Sequence, residues 1–146
     1  MLDAAAILNF LPHQKPFRFV DEITFVDENK IEGNYTFNEE EFFYKGHFPK
    51  QPLTPGVILI ECMAQIGLVC FGIYLLQKAG SVIDENRMPL FTSSNIQFYK
   101  KVFPGDKVFV SAEKTVFRHG KLRSNVRMKD EASNLICDGN ISGMLF

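Results

Sequence analysis

The stretch Thr54-Pro55-Gly56-Val57-Ile58-Leu59-Ile60-Glu61-Cys62-Met63-Ala64-Gln65-Ile66-Gly67-Leu68-Val69-Cys70-Phe71-Gly72-Ile73-Tyr74-Leu75-Leu76-Gln77-Lys78 decides the fold. Thr54 has the side chain of an N-cap, and Pro55 sits at the first helical position, where a missing N–H does no harm. No proline follows before Lys78, and Gly80 offers a left-handed C-cap. The reading is one helix of about 24 residues, roughly 36 Å long. Only Glu61 and Gln65 interrupt its apolar surface before Gln77. A helix that is apolar nearly all round must be buried, so something has to wrap it.

The wrapper is read from the residues on either side. Downstream, Leu90–Lys100, Lys107–Phe117, Leu122–Asp130 and Leu135–Leu145 read as strands. Pro104-Gly105-Asp106, His119-Gly120 and Glu131-Ala132-Ser133-Asn134 punctuate them, and turns that short predict antiparallel pairing of sequence neighbours. Upstream, Phe17, Phe19, Ile23 and Phe25 alternate, Asp27-Glu28-Asn29-Lys30 turns, and Ile31, Gly33, Tyr35 and Phe37 alternate again, which predicts a hairpin in the same sheet. Asp3 caps a short helix through Leu8 that Pro12 ends. Pro49, Pro52 and Pro55 with Gly46 exclude both helix and central strand from residues 38–55 and force a shaped loop there. The fold class is α+β: one long buried helix in a curled antiparallel sheet, as a single domain over residues 1–146.

Composition narrows the function. Lys and Arg number 16 against 17 Asp and Glu, and a net charge of −1 gives no global field for gathering nucleic acid. Fifteen Phe and no Trp suit dry surfaces, with core packing the default and a subunit interface or acyl pocket the alternatives. Cys62, Cys70 and Cys137 form neither a CxxC nor a zinc-spaced cluster, and read as reduced thiols of a cytoplasmic protein. Met1-Leu2-Asp3-Ala4 places an acid where a signal or transit peptide has basic residues. The longest unbroken apolar run, Ile66 to Leu76, falls short of the ~20 residues of a bilayer-spanning helix, so no membrane partner is expected.

Three groups within about fifteen residues carry chemistry. Glu61, flanked by apolar neighbours, is an expensive place for a charge; desolvation raises its pKa and makes it a candidate general acid. Gln65, four residues on, shares its face and can hold Glu61 or a water. A buried Glu satisfied by Gln65, a backbone amide or a subunit partner is the other reading, and the helix alone does not decide. His47, in a loop stiffened by Gly46 and Pro49, is a usable base, although loop histidines also serve as solvated or structurally bonded residues. The Gly56 amide is a free N–H at the positive end of the helix and can polarise a carbonyl oxygen. A base, an acid and an amide donor are the parts needed to enolise a thioester and expel a β-hydroxyl. His13, beside Pro12, and His119, beside Gly120, take structural readings.

Gly46-His47-Phe48-Pro49, Pro52, Pro55-Gly56-Val57, Glu61 and Ala64-Gln65 resemble the signature of 3-hydroxyacyl-(acyl carrier protein) dehydratases of the FabZ/FabA type, which have the hot dog fold. Leu11-Pro12-His13, Pro16-Phe17 and Val20-Asp21 resemble the family's opening, and Phe98 through Asp106 its later strand and turn. The resemblance implies His47 as the base that takes the Cα proton and Glu61 as the acid that serves the leaving hydroxyl. Gly56 would hold the thioester oxygen, with Phe48, Val57 and Gln65 around the substrate. It implies a (3R)-hydroxyacyl chain delivered by acyl carrier protein, no metal or redox cofactor, and a site shared across a homodimer; family members form dimers or hexamers. Glu at position 61 and the chain's length resemble the FabZ branch, which dehydrates without isomerising. Lys100, Lys101, Arg118 and Lys121 are candidates for the carrier-docking rim, with solvated strand faces as the alternative. A hot dog thioesterase would use the same scaffold with a carboxylate activating water and would not need the His47-Phe48-Pro49 loop; a non-catalytic acyl-binding partner of a heteromeric dehydratase is a third reading, against which an intact His47 and Glu61 argue.

Overall fold

The computed structural model describes residues 3–84, 86 and 88–145, so Met1, Leu2 and the last residue of the expected domain lie outside the described residues. Six strands, β1 (Glu22–Val26), β2 (Lys30–Thr36), β3 (Leu90–Phe98), β4 (Lys107–Arg118), β5 (Lys121–Lys129) and β6 (Leu135–Met144), form one sheet in the order β1-β2-β4-β5-β6-β3. Every pairing is antiparallel. The expected limits of the last four strands are met within two residues. β5 shows why: Leu122, Ser124, Val126 and Met128 are buried while Lys121, Arg123, Asn125 and Arg127 are exposed, a strict period of two that only one register satisfies.

The central helix runs Gly56–Lys78 and fills the hollow of the sheet. Met63, Ile66, Phe71 and Ile73 are fully buried on it, each adding about 2 kcal/mol of apolar burial. By length and composition the whole helix could cross a bilayer, more than the eleven-residue run implied, but 78% of its most apolar window is buried inside the protein. Residues Gln65–Cys70 form a π-helical turn. Buried Ser124 on β5 donates its hydroxyl to the Gly67 carbonyl there, so a polar backbone group inside the core keeps a partner. Gly80, at φ +83, ends the helix as expected, and Ser81 N–H returns to the Leu76 carbonyl.

Four expectations need correction. Thr54 does not cap the helix: Pro55 occupies the cap position and its carbonyl accepts from Ile58 and Leu59, while the Thr54 hydroxyl pairs with Tyr44 Oη at 2.6 Å. Phe17 and Phe19 precede β1 rather than belonging to it, because their backbone bonds go to helix side chains instead of a neighbouring strand. β3 pairs with β6 on the far edge and not with β4, since residues 99–106 are long enough to carry the chain across the end of the sheet. Nor are most Phe in the core: Phe19, Phe37 and Phe71 are, but nine others are more than a third exposed, including Phe48, Phe91, Phe98 and Phe103.

Gly139 of β6 makes a sharp test of the β3–β6 seam. At φ +150 it lies where L side chains are strained, and a Cβ there would stand 1.9 Å from the Asn95 carbonyl oxygen of β3. Gly139→Ala should lower the unfolding free energy by about 2 kcal/mol or more, read as a fall in the urea midpoint. An unchanged midpoint would show that β3 can retreat without loss.

Candidate active site

His47 is held by its own loop. Its Nδ1 lies 2.7 Å from the Leu53 carbonyl oxygen, and Leu53 N–H donates back to the His47 carbonyl at 2.9 Å. A carbonyl can only accept, so Nδ1 carries the proton and Nε2 keeps a free lone pair. The loop is anchored in turn: Thr54 N–H bonds the Val102 carbonyl at 2.9 Å, and Tyr44 is buried against Thr54. Phe48 stacks on the imidazole at 4.1 Å, with half its surface exposed. The prolines and glycine of this segment thus bring His47 to a fixed tautomer, with its reactive nitrogen bare.

Gly56 opens the helix just beyond the loop. The Phe98 ring of β3 lies over it, so that a Cβ at Gly56 would stand 3.1 Å from Phe98 Cζ. Val57, the next residue, is 71% exposed. An amide at a helix start, beside exposed apolar groups, is the arrangement a thioester oxygen needs.

Glu61 is one turn further along the helix and half-buried. Burial pushes its carboxyl above the ordinary value, opposed in part by the hydrogen bond from Gln65. Gln65, fully buried, is saturated: Nε2 donates to Glu61 Oε2 at 2.9 Å and to the Phe17 carbonyl at 2.9 Å, and Oε1 accepts Phe19 N–H at 2.7 Å. These bonds, with Cys62 Sγ donating to the Phe19 carbonyl at 3.3 Å, strap residues 17–19 across the helix. A cavity opens at Glu61, lined by His13, Ala64, Leu68, Val69, Pro89, Leu90, Phe91, Gly143 and Leu145. His47 is not among its lining residues, and among the described residues no hydrogen bond or ion pair joins His47 to Glu61. Gln65 therefore holds Glu61 as expected, whereas a single chain does not bring His47 and Glu61 into one pocket.

His13, read from the sequence as structural, lies at the candidate site. Its Nε2 lies 3.6 Å from Glu61 Oε2 inside the cavity. The signal was present in Leu11-Pro12-His13, which belongs to the same resemblance as the catalytic motifs. The basic candidates separate into two groups. Arg118 pairs with Lys121 at the β4–β5 turn, while Lys100 bonds Asp130 beyond the other end of β5, about 30 Å away along nine strand residues. Lys101 is exposed beside Lys100. His119, at φ +53, is the turn residue it was read to be. The three cysteines are free and buried, and burial pushes Cys70 and Cys137 up to about 12, which makes them poor nucleophiles.

A single helix enclosed by a six-stranded antiparallel sheet is the hot dog arrangement, here with a loop histidine before the helix and a half-buried carboxyl on it. The sequence matches the FabA-like domain over residues 11–140. It is 36% identical over 147 residues to the 3-hydroxyacyl-(acyl carrier protein) dehydratase FabZ of Bacillus licheniformis, covering 97% of this chain and 94% of that protein. It is 35% identical over 145 residues to the FabZ of Listeria welshimeri, with the same coverage. The dehydratase heterocomplex ApeI:P from Xenorhabdus doucetiae superposes with a TM-score of 0.78 at 11% identity, over 100% of this chain and 93% of that one, a likeness of fold. The chain belongs to the FabA-like family, among its FabZ-type dehydratases.

The buried acid has a consequence for stability. Because the folded-state pKa of Glu61 is raised, the folded protein holds a proton that the unfolded chain has released at pH values between the two, and stability falls as pH rises through that window. Glu61→Gln removes the titration and can still accept from Gln65 Nε2. Its gain in unfolding free energy over the parent should therefore grow from pH 4 to pH 8, as read from urea denaturation. A gain independent of pH would contradict a raised carboxyl.

Proposed function

We propose that this protein dehydrates (3R)-hydroxyacyl chains, carried as thioesters on acyl carrier protein, to trans-2-enoyl thioesters in fatty acid biosynthesis. The observation that carries the mechanism is the bond from His47 Nδ1–H to the Leu53 carbonyl, which leaves Nε2 as a bare base before any substrate arrives. In the reaction, His47 Nε2 takes the proton from Cα and the electron pair of that C–H bond moves into the thioester carbonyl, whose oxygen the Gly56 N–H stabilises. As the enolate collapses, the Cβ–O bond breaks and Glu61 gives its proton to the departing hydroxyl, which leaves as water. Desolvation shifts Glu61 toward the protonated form that this step uses. Phe48 and Val57 flank the thioester, and the cavity beyond Glu61 receives the acyl chain. The reaction balances without a metal or redox partner. Residues 1–146 act as one hot dog domain.

The working unit is a homodimer in which His47 of one subunit faces Glu61 of the other. β3 supports this reading. It is an unpaired sheet edge, exposed along nearly its whole length, and it carries Leu90, Phe91 and Phe98 into solvent beside Val57 and Phe48. An apolar edge strand is an expensive surface to leave open, and a second copy of the same edge pairs with it under a two-fold axis. The carrier docks at Lys101 at one end of the sheet and Arg118 with Lys121 at the other, cations in no ion pair among the described residues, which a two-fold axis can bring together from two subunits. Free, buried cysteines fit a cytoplasmic location.

His47→Ala and Glu61→Gln should each lower kcat for dehydration at least about 100-fold while leaving the fold intact. The check is an assay with a 3-hydroxyacyl thioester on carrier protein, products being read by mass. Release of free thiol instead of water would identify a thioesterase, and a fully active Glu61→Gln would remove Glu61 from the role of acid.

A further inference from the structure

His13 approaches Glu61 from outside the helix, and no step above uses it. Both side chains are about one-fifth exposed, and they line the same cavity. The surroundings restrict what the imidazole can do. Among the described residues, Arg18, on the strap, is the one charged group facing it besides Glu61, and is itself held by the Leu8 carbonyl; the helix otherwise presents Gln65, Ala64, Leu68 and Val69, and the described residues of β3 and β6 present apolar groups and backbone. Burial and the nearby Arg18 charge hold His13 below the usual range, so near neutral pH it is an uncharged imidazole with one N–H.

Where that N–H points follows from the partners. Nδ1 is buried and has none. A buried N–H without an acceptor is worse than a bare lone pair, so the proton belongs on Nε2, which has Glu61 Oε2 before it. Gln65 cannot turn round: both hydrogens of Nε2 and the acceptor Oε1 are engaged, so it offers Glu61 a donor and nothing else. Two donors, Gln65 and His13, therefore converge on the same oxygen, Oε2, and none of the bonds made by Glu61 involves Oε1.

Resting on the dehydratase reading, we propose that His13 is a positioning residue: with Gln65 it occupies Glu61 Oε2, so that Oε1 carries the proton given to the leaving hydroxyl. When that O–H bond breaks and the proton departs with the water, the charge left on Glu61 is met by both donors. The 3.6 Å gap closes by under about 1 Å to the length of a charge-assisted bond as the carboxylate forms. His13 never exchanges a proton with substrate; it acts through Glu61.

The test compares His13→Phe, which keeps the apolar bulk without a donor, and His13→Gln, which restores an N–H. Two readouts are taken: the pH profile of dehydration on carrier-bound 3-hydroxyacyl thioester, and the titration of the 13C-labelled Glu61 carboxyl. His13→Phe should lower kcat about tenfold, what one hydrogen bond to a charged group is worth, with KM little changed. It should also raise the pKa of Glu61, because the carboxylate has lost a donor, and His13→Gln should recover most of both. Superimposable titrations of the parent and His13→Phe, or a His13→Gln protein no better than His13→Phe, would overturn the proposal. An inactive parent whose carboxyl still responds to His13 would overturn the dehydratase reading and leave the contact standing. Where His13→Phe does not fold, His13→Leu with the same titration serves.

Discussion

Burying one nearly all-apolar helix is the constraint on which the rest of this protein depends. Gly56–Lys78 cannot face water, and a flat sheet covers only one side of it, so six antiparallel strands must curl around it. The curl brings Ala112 of β4, Val126 of β5 and Ile141 of β6 around Gly67 of the helix, and it leaves Gln65 buried and Glu61 half-buried. Glu61 and Gln65 are expensive there, and their surroundings are what turns that expense into chemistry.

Gln65 resolves most of it. Its amide makes three hydrogen bonds at once, two to the strap at Phe17 and Phe19 and one to Glu61, so no part of it is left unpaired in the core. The same bonds seal the open side of the helix and orient the acid. His47 is organised by an independent clamp, its reciprocal pair of bonds with Leu53. Each half of the candidate site is thus rigid within its own chain. The two halves are not joined in that chain, and the exposed β3 edge beside them is the surface where a second copy would complete them.

Much of this was legible in the residues. The alternation of β5, the three punctuating turns and the uninterrupted apolar run of the helix each admit one local structure, and they set the fold class before any contact is known. Glu61, Gln65, His47 and Gly56 stood out because burial, spacing and loop stiffness are properties of short stretches. The readings that failed depended on distant partners. Phe17 and Phe19 alternate like a strand because they are extended, but their hydrogen bonds end on Gln65, some 46 residues away, rather than on another strand. The Thr54 hydroxyl had an alternative in Tyr44 that no local pattern reveals. β3 moved to the far edge because pairing depends on where the sheet closes, and the exposed Phe could not be told from core Phe because composition carries no burial. His13 was read as structural because only the folded chain places it against Glu61.

If His47 and Glu61 act from different subunits, two inactive proteins can complement each other. Equal amounts of the His47→Ala and Glu61→Gln proteins, mixed and allowed to exchange subunits, give mixed dimers in half the population, each with one intact site of two. The expected outcome is recovery of about a quarter of the parent's dehydration rate. No recovery, with exchange proven by mass spectrometry of the intact mixed dimer, would place His47 and Glu61 in one chain's site and contradict it.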